Sequence, residues 1–482
     1  MIEKYRKLSV QTKAAIWFVV CSFMQRGITA ISTPIFTRLL NTYEYGQFSV
    51  FNSWLSVLTI IITLNLSAGV YTQGLVKFSK NKDVFSSSLQ GLTALLCIAW
   101  TIIYLLFHDF WNNLLGLSTV QVLALIIMIW TTSVFNFWSA YQRVEYRYKS
   151  LVFITVIVSI LKPIIGVLFV ILADDKVTAR ILGLVLVETV FYPVLFYIQL
   201  KKGKKLFDKE FWKYAVIFNL PLVPHYLSQT VLNSADRIMI QQLIGDSESG
   251  VYSLAYNISQ IMILFNIALS NSVSPWMYQK IKDKDFSEIP RISYITMIIV
   301  AILNLALIAI APEVVNIFAP SSYEEAIYII PPIAISLFFY YCYDLFAKFE
   351  FYYEKTNLIM VASVAGALLN VVLNAIFIPI YGYYAAGYTT LICYICYMLF
   401  HYWAMKYVCK KYMVVAKIFA EWVIFGLSVI VIVIGAILLF TYKYPFLRYS
   451  IIFIGLAIIF IKRKALVLLF KQMMRLKKNS ND

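Results

Sequence analysis

The chain has 482 residues, 61% hydrophobic and 13% charged, with a formal net charge of +17. Soluble domains carry about 25% charged residues, so this composition excludes a water-soluble globular protein. It predicts an all-α integral membrane protein, and the basic surplus calls for a membrane explanation before a nucleic-acid one.

A spanning helix needs about 20 mostly apolar residues. In chain order such stretches cover 14–36, 47–70, 86–107, 117–139, 151–172, 180–199, 214–243, 251–274, 293–318, 326–347, 357–380, 384–405, 417–440 and 446–461, about fourteen helices in all. The first is too long for a signal-peptide core, and "TPIFTRLL" is a poor cleavage context. The six cysteines lie in spans or at one helix end, so no disulfide framework is expected. The CxxC of Cys393 and Cys396 reads as ordinary packing on one helix face.

The cations between the spans are unevenly shared. Of the 41, 33 fall in one alternate set of segments, from Lys4, Arg6, Lys7 and Lys13 to the basic tail beyond Lys462. The other set holds five: Arg38, Lys176, Arg180, Lys443 and Arg448. This bias predicts both termini on the cytoplasmic side of the membrane. It implies contact with anionic phospholipids, not nucleic acid.

The remaining cations, Arg26, Lys162 and Arg237, lie within spans. Arg26 and Lys162 are each roughly 20 Å from the inner end of their helix at 1.5 Å per residue, past easy snorkelling. Two readings stand. One is a buried ion pair with Glu188 or Asp236 as partner; the other is a water-filled cavity with a positive wall. Asp236, Glu188, His225 and Asp344 are the titratable candidates for a coupling ion. His225 follows Pro221 and Pro224, which should interrupt the helix that also bears Asp236 and Arg237.

The segment "RLLNTYEYGQFSVF" aligns with "QLIGDSESGVYSLA" at an offset of 204, matching Leu39 to Leu243, Glu44 to Glu248 and Gly46 to Gly250. The same offset pairs Gly183 with Gly387, and an offset of 205 pairs Arg143-x-Glu145 with Lys348-x-Glu350. These matches predict two six-helix lobes in a parallel repeat, 1–205 and 206–412, followed by 413–482 with helices thirteen and fourteen. In this reading "NTYEYG" ends helix one, Gly245 ends helix seven and Gly250 opens helix eight. Asp236 and Arg237 align with Ser32 and Thr33, so the charge pair belongs to one lobe only.

With "ADRIMIQQLIGDSESGVYSLAY" and "IPIYGYYAAGYTTLICY", these segments resemble the polysaccharide-transporter branch of the multidrug/oligosaccharidyl-lipid/polysaccharide (MOP) exporter superfamily, in particular its O-antigen and capsule repeat-unit flippases. The resemblance implies two lobes around a central cavity, alternating access, and an oligosaccharide linked to undecaprenyl diphosphate as substrate. The family's cavity residues carry over to this chain only where Arg26, Lys162, Asp236 and Arg237 themselves match its pattern of intramembrane charges, and polysaccharide polymerase and chain-length machinery are candidate partners. A positive cavity suits a diphosphate independently, because a guanidinium binds phosphate oxygens bidentately. Most of the 35 Tyr and 10 Trp are expected in interfacial belts and core packing.

An enzyme acting on glycans would need a large hydrophilic loop with acidic or His groups, and none is present. Asp174–Asp175 reads as a solvated turn. The sequence has no P-loop and no cluster at metal-ligand spacing, so no cofactor or metal is expected. A lipid II flippase and a drug or cation antiporter of the same superfamily stand as alternatives.

Overall fold

The computed structural model describes residues 9–412 and 418–461. Lys4, Arg6, Lys7, Lys417 and the basic tail from Lys462 lie outside the described residues. The described residues form helices and turns without a strand, and they divide into two compact units, Met1–Gln241 and Gln242–Asp482.

The first unit contains α1 (Val10–Leu39), α2 (Thr42–Thr63), α3 (Val70–Lys77), α4 (Lys82–Leu106), α5 (His108–Leu115), α6 (Thr119–Val144), α7 (Tyr148–Leu172), α8 (Lys176–Gly203), α9 (Lys209–Asn219) and α10 (Val223–Leu243). The second contains α11 (Asp246–Ser259), α12 (Ile261–Lys282), α13 (Ile289–Ala309), α14 (Ala311–Phe318), α15 (Ala326–Tyr352), α16 (Thr356–Tyr381), α17 (Tyr384–Tyr412), α18 (Glu421–Phe440) and α19 (Pro445–Ile461). Eleven helical segments among the described residues are long and apolar enough to cross a membrane. The other three expected spans are also helical. The apolar run of α10 is interrupted by His, Gln, Asn, Asp and Arg side chains, α17 is rich in tyrosine, and α19 has only 17 residues.

The expected seventh span is broken as its prolines require. Pro221 sits in a 3₁₀ turn, Leu220–Leu222, between α9 and α10. Helix α9 belongs to the first unit through its aromatic face: Phe211 meets Phe85 edge-on at 5.3 Å, and Trp212 Nε1 donates to the Ser88 carbonyl at 2.9 Å. The repeat boundary near 205 and the packing boundary at Gln241 are therefore different lines.

Two turn assignments change. "NTYEYG" opens α2 instead of ending α1. Asn41 is the N-cap, its side chain accepting from the Glu44 amide at 2.8 Å while Glu44 accepts from the Asn41 amide at 2.9 Å, which satisfies two of the helix's orphan donors. Gly245 likewise caps the start of α11 in extended backbone, and Gly250 lies inside that helix, buried. The acidic Asp246 and Glu248 in its first turn complement the positive end of the helix dipole.

The element order supports the repeat and corrects its register. Helices α2 and α11 start 204 residues apart, and the eight-residue helices α5 and α14 start 203 apart. Beyond them α7 and α16, and α8 and α17, start 208 apart. The left-handed turn residues Tyr146 and Glu354 show the same 208. The connection 319–325, with its 3₁₀ turn Ser321–Tyr323, is longer than its counterpart 116–118. The matches of Gly183 to Gly387 and of Arg143 to Lys348 are thus out of structural register.

Candidate functional site

Lys162 projects from α7 toward Glu188 on α8. Its Nζ donates to Glu188 Oε1 at 2.6 Å, and the other carboxylate oxygen accepts from Thr131 Oγ1 at 2.5 Å, with Thr132 Oγ1 at 3.3 Å. The Glu188 side chain is 2% exposed and that of Lys162 is 28% exposed. Three donors satisfy the buried carboxylate, and the ammonium, 28% exposed, keeps an open side. Of the two readings for Lys162, the structure realises the ion pair, with Glu188 as partner.

Arg26 has a different setting. Among the described residues it has no ion-pair partner, and its side chain is exposed. It lies on a polar stripe of α1 with Ser22, Thr29 and Thr33, whose hydroxyls turn back to carbonyls of their own helix at 2.9–3.1 Å. Positions 22, 26, 29 and 33 fall within about 60° on a helix of 3.6 residues per turn. Helix α10 carries a matching stripe of Gln229, Asn233 and Arg237. At the offset of 204, Gln25 corresponds to Gln229, Thr29 to Asn233 and Thr33 to Arg237. Polar side chains exposed at membrane depth require water or a polar ligand beside them.

Asp236 and Arg237 point in different directions, as neighbours on a helix must. Asp236 is 1% exposed, whereas Arg237 is half-buried and reaches back to the Asn233 carbonyl at 3.2 Å. His225 is half-buried one turn from Pro221, and its buried Nδ1 has no hydrogen-bond partner among the described residues. In the second unit Asp344 is committed to Lys348 at 2.7 Å on the same helix and accepts from Ser270 Oγ at 2.7 Å.

Two features escaped the sequence reading. Glu350 on α15 and His401 on α17 form a fully buried pair at 2.7 Å, with Tyr343 stacked on the imidazole at 5.2 Å. The paired stripes on α1 and α10 were also missed, although aligning those two helices at the offset of 204 would have found them. Three cations of the sparse set, Arg180, Lys176 and Arg448, tie helices together. The Arg180 guanidinium lies between the rings of Phe36 and Phe48, at 3.7 and 3.5 Å. Lys176 donates to the Leu39 carbonyl at 3.2 Å, and Arg448 pairs with Glu313.

The family described as polysaccharide biosynthesis protein matches residues 12–281, more than half of the chain. The chain belongs to this family. A second family, MatE, matches residues 221–376, and together the two place the chain in the polysaccharide-transporter branch of the MOP superfamily as a multi-pass membrane transporter. Two Haemophilus influenzae proteins are similar. One, Lsg locus putative protein 1, is 21% identical over 74% of this chain and 89% of its own length. The other, an uncharacterized membrane protein, is 22% identical over 73% and 86%. Among solved structures, the lipid II flippase MurJ in an inward closed conformation aligns with TM-score 0.67 at 15% identity, covering 90% of this chain and all of that one. An inward-facing multidrug resistance MATE transporter aligns with TM-score 0.60 at 13% identity, covering 80% and 96%. At these identities the structural likeness concerns the fold.

Proposed function

We propose that this family member is a flippase that carries undecaprenyl-diphosphate-linked oligosaccharide repeat units from the inner to the outer leaflet of the bacterial cytoplasmic membrane by alternating access, with both termini in the cytoplasm. The observation that carries the proposal is the pair of repeat-related polar stripes on α1 and α10, each with an arginine at membrane depth. A diphosphate must cross about 30 Å of hydrocarbon, and a guanidinium offers it paired donors where water is scarce. The amides and hydroxyls beside Arg26 and Arg237 match the donor and acceptor needs of sugar hydroxyls, while the polyprenyl tail stays in lipid. The titratable groups on the broken helix, Asp236 and His225, are the candidates for ion coupling, and the chemistry asks for no covalent step.

Replacing Arg26 or Arg237 with Gln should abolish surface-glycan export while the protein remains in the membrane, and Lys at the same position should restore it only in part. Normal glycan levels in both Gln variants would sink the proposal. The likeness to the lipid II flippase supports a second reading, transport of lipid II itself. Rescue of a strain depleted of its lipid II flippase, without rescue of one lacking its repeat-unit flippase, would favour that reading.

A further inference from the structure

We infer that the groove between α1 and α7 is a binding site for an anionic phospholipid of the surrounding membrane, its phosphate held by Lys13 and Lys149. The inference stands apart from the transport reading. The groove has a volume of about 690 Å³ and lies within the first unit. Lys13 and Lys149 line one end with Trp17 and Tyr148, and the trough below them is apolar, walled by Met24, Val152 and Val156. From Lys13 to Met24 is roughly 16 Å along a helix, about half of a 30 Å hydrocarbon core. The groove therefore has the dimensions of one leaflet: a cationic, aromatic mouth at headgroup depth and room for a chain beneath it.

Charge decides what fills it. A bare hydrocarbon groove would take any lipid, whereas two ammonium groups at the mouth select a phosphate-bearing headgroup without a compensating cation. Two lysines near an anionic headgroup give about a 30-fold preference at low ionic strength, which salt weakens. The rotation of α1 separates this groove from the polar stripe. Positions 13, 17 and 24 lie about 170° round the helix from 22, 26, 29 and 33. A lipid in the groove therefore sits behind the face that carries Arg26, as a resident of the first unit and not as cargo.

The test is native mass spectrometry of the full chain released from nanodiscs of phosphatidylcholine and phosphatidylglycerol in equal amounts. The unmodified protein should retain phosphatidylglycerol, and the double variant Lys13→Gln with Lys149→Gln should lose that preference about 30-fold. Val156→Trp, which fills the trough and leaves both charges, should lose the bound lipid as well. This second route reports even if the lysine variant does not fold, and melting in phosphatidylcholine alone serves as the folding check. Lys201→Gln with Lys202→Gln removes equal charge from the exposed last turn of α8 and should retain the lipid. Wild-type retention by both groove variants, or equal loss in the α8 control, would overturn the inference. So would displacement of phosphatidylglycerol by equimolar polyprenyl phosphate, which would assign the groove to an isoprenoid carrier.

Discussion

Lys162 and Glu188 show how one ion pair can satisfy two competing demands. The pair cancels charge that lipid would not tolerate, yet it leaves the ammonium partly open while the carboxylate is saturated by Thr131 and Thr132. Breaking a buried pair from one side strands a charge and costs about 3 kcal/mol. Glu188→Ala should therefore lower thermal stability by about that amount. Replacing both Lys162 and Glu188 with Met should be near neutral for stability, since apolar packing substitutes well for a buried pair. If the double variant also exports glycan at the normal level, the pair is a structural tie between α7 and α8. Stable protein with lost export would show that the Lys162 charge is used by the substrate. The sequence marked Lys162 and Glu188 as unusual because charges at membrane depth are rare. It could not match cation to carboxylate, since that depends on which faces of α7 and α8 meet.

At the scale of elements, close approach is bought with glycine. On α4, a Cβ at Gly91 would lie 2.0 Å from the Leu206 carbonyl oxygen, and on α8 a Cβ at Gly203 would lie 2.2 Å from the Asp83 carbonyl oxygen. Both obstacles are backbone and cannot rotate away. Gly91→Ala should cost about 2 kcal/mol through overpacking, measured as a lowered melting midpoint. Gly27→Ala, beside Arg26 with nothing within 4 Å, should instead stabilise α1 by about 0.5 kcal/mol by removing backbone freedom from the unfolded chain. Equal effects at the two sites would refute the close-packing account of Gly91. The spans themselves were legible because apolar length is a strong signal. Helix starts were not, since a glycine near a turn reads equally well as a stop or as a cap. At Asn41 the reciprocal bonding with Glu44 decides in favour of a start.

For the whole molecule, duplication was legible and its register was only half so. Identities clustered near an offset of 204 because α1, α2, α10 and α11 keep that spacing, whereas the longer connection at 319–325 shifts every later helix. A single offset could not find both. Topology follows from the same element order. With one crossing for each expected span, an even number separates equivalent points of a parallel repeat, so the α1–α2 turn and the α10–α11 turn are expected on one side of the membrane. The last turn of α8, with Lys201 and Lys202, is expected on the other, the cytoplasmic side in the topology proposed from the basic segments. Single cysteines in an otherwise cysteine-free chain test this arrangement. One at Ser247, in the first turn of α11, should react with a membrane-impermeant maleimide in intact cells. One at Lys202 should react only after the cells are permeabilised. Because Ser247 is partly shielded by protein, a cysteine at Asn41, the exposed N-cap of α2, provides a second external probe. Labelling at Lys202 in sealed cells, or opposite accessibility of positions 41 and 247, would break the parallel two-lobe arrangement. Alternating access about such an arrangement would lose its basis with it.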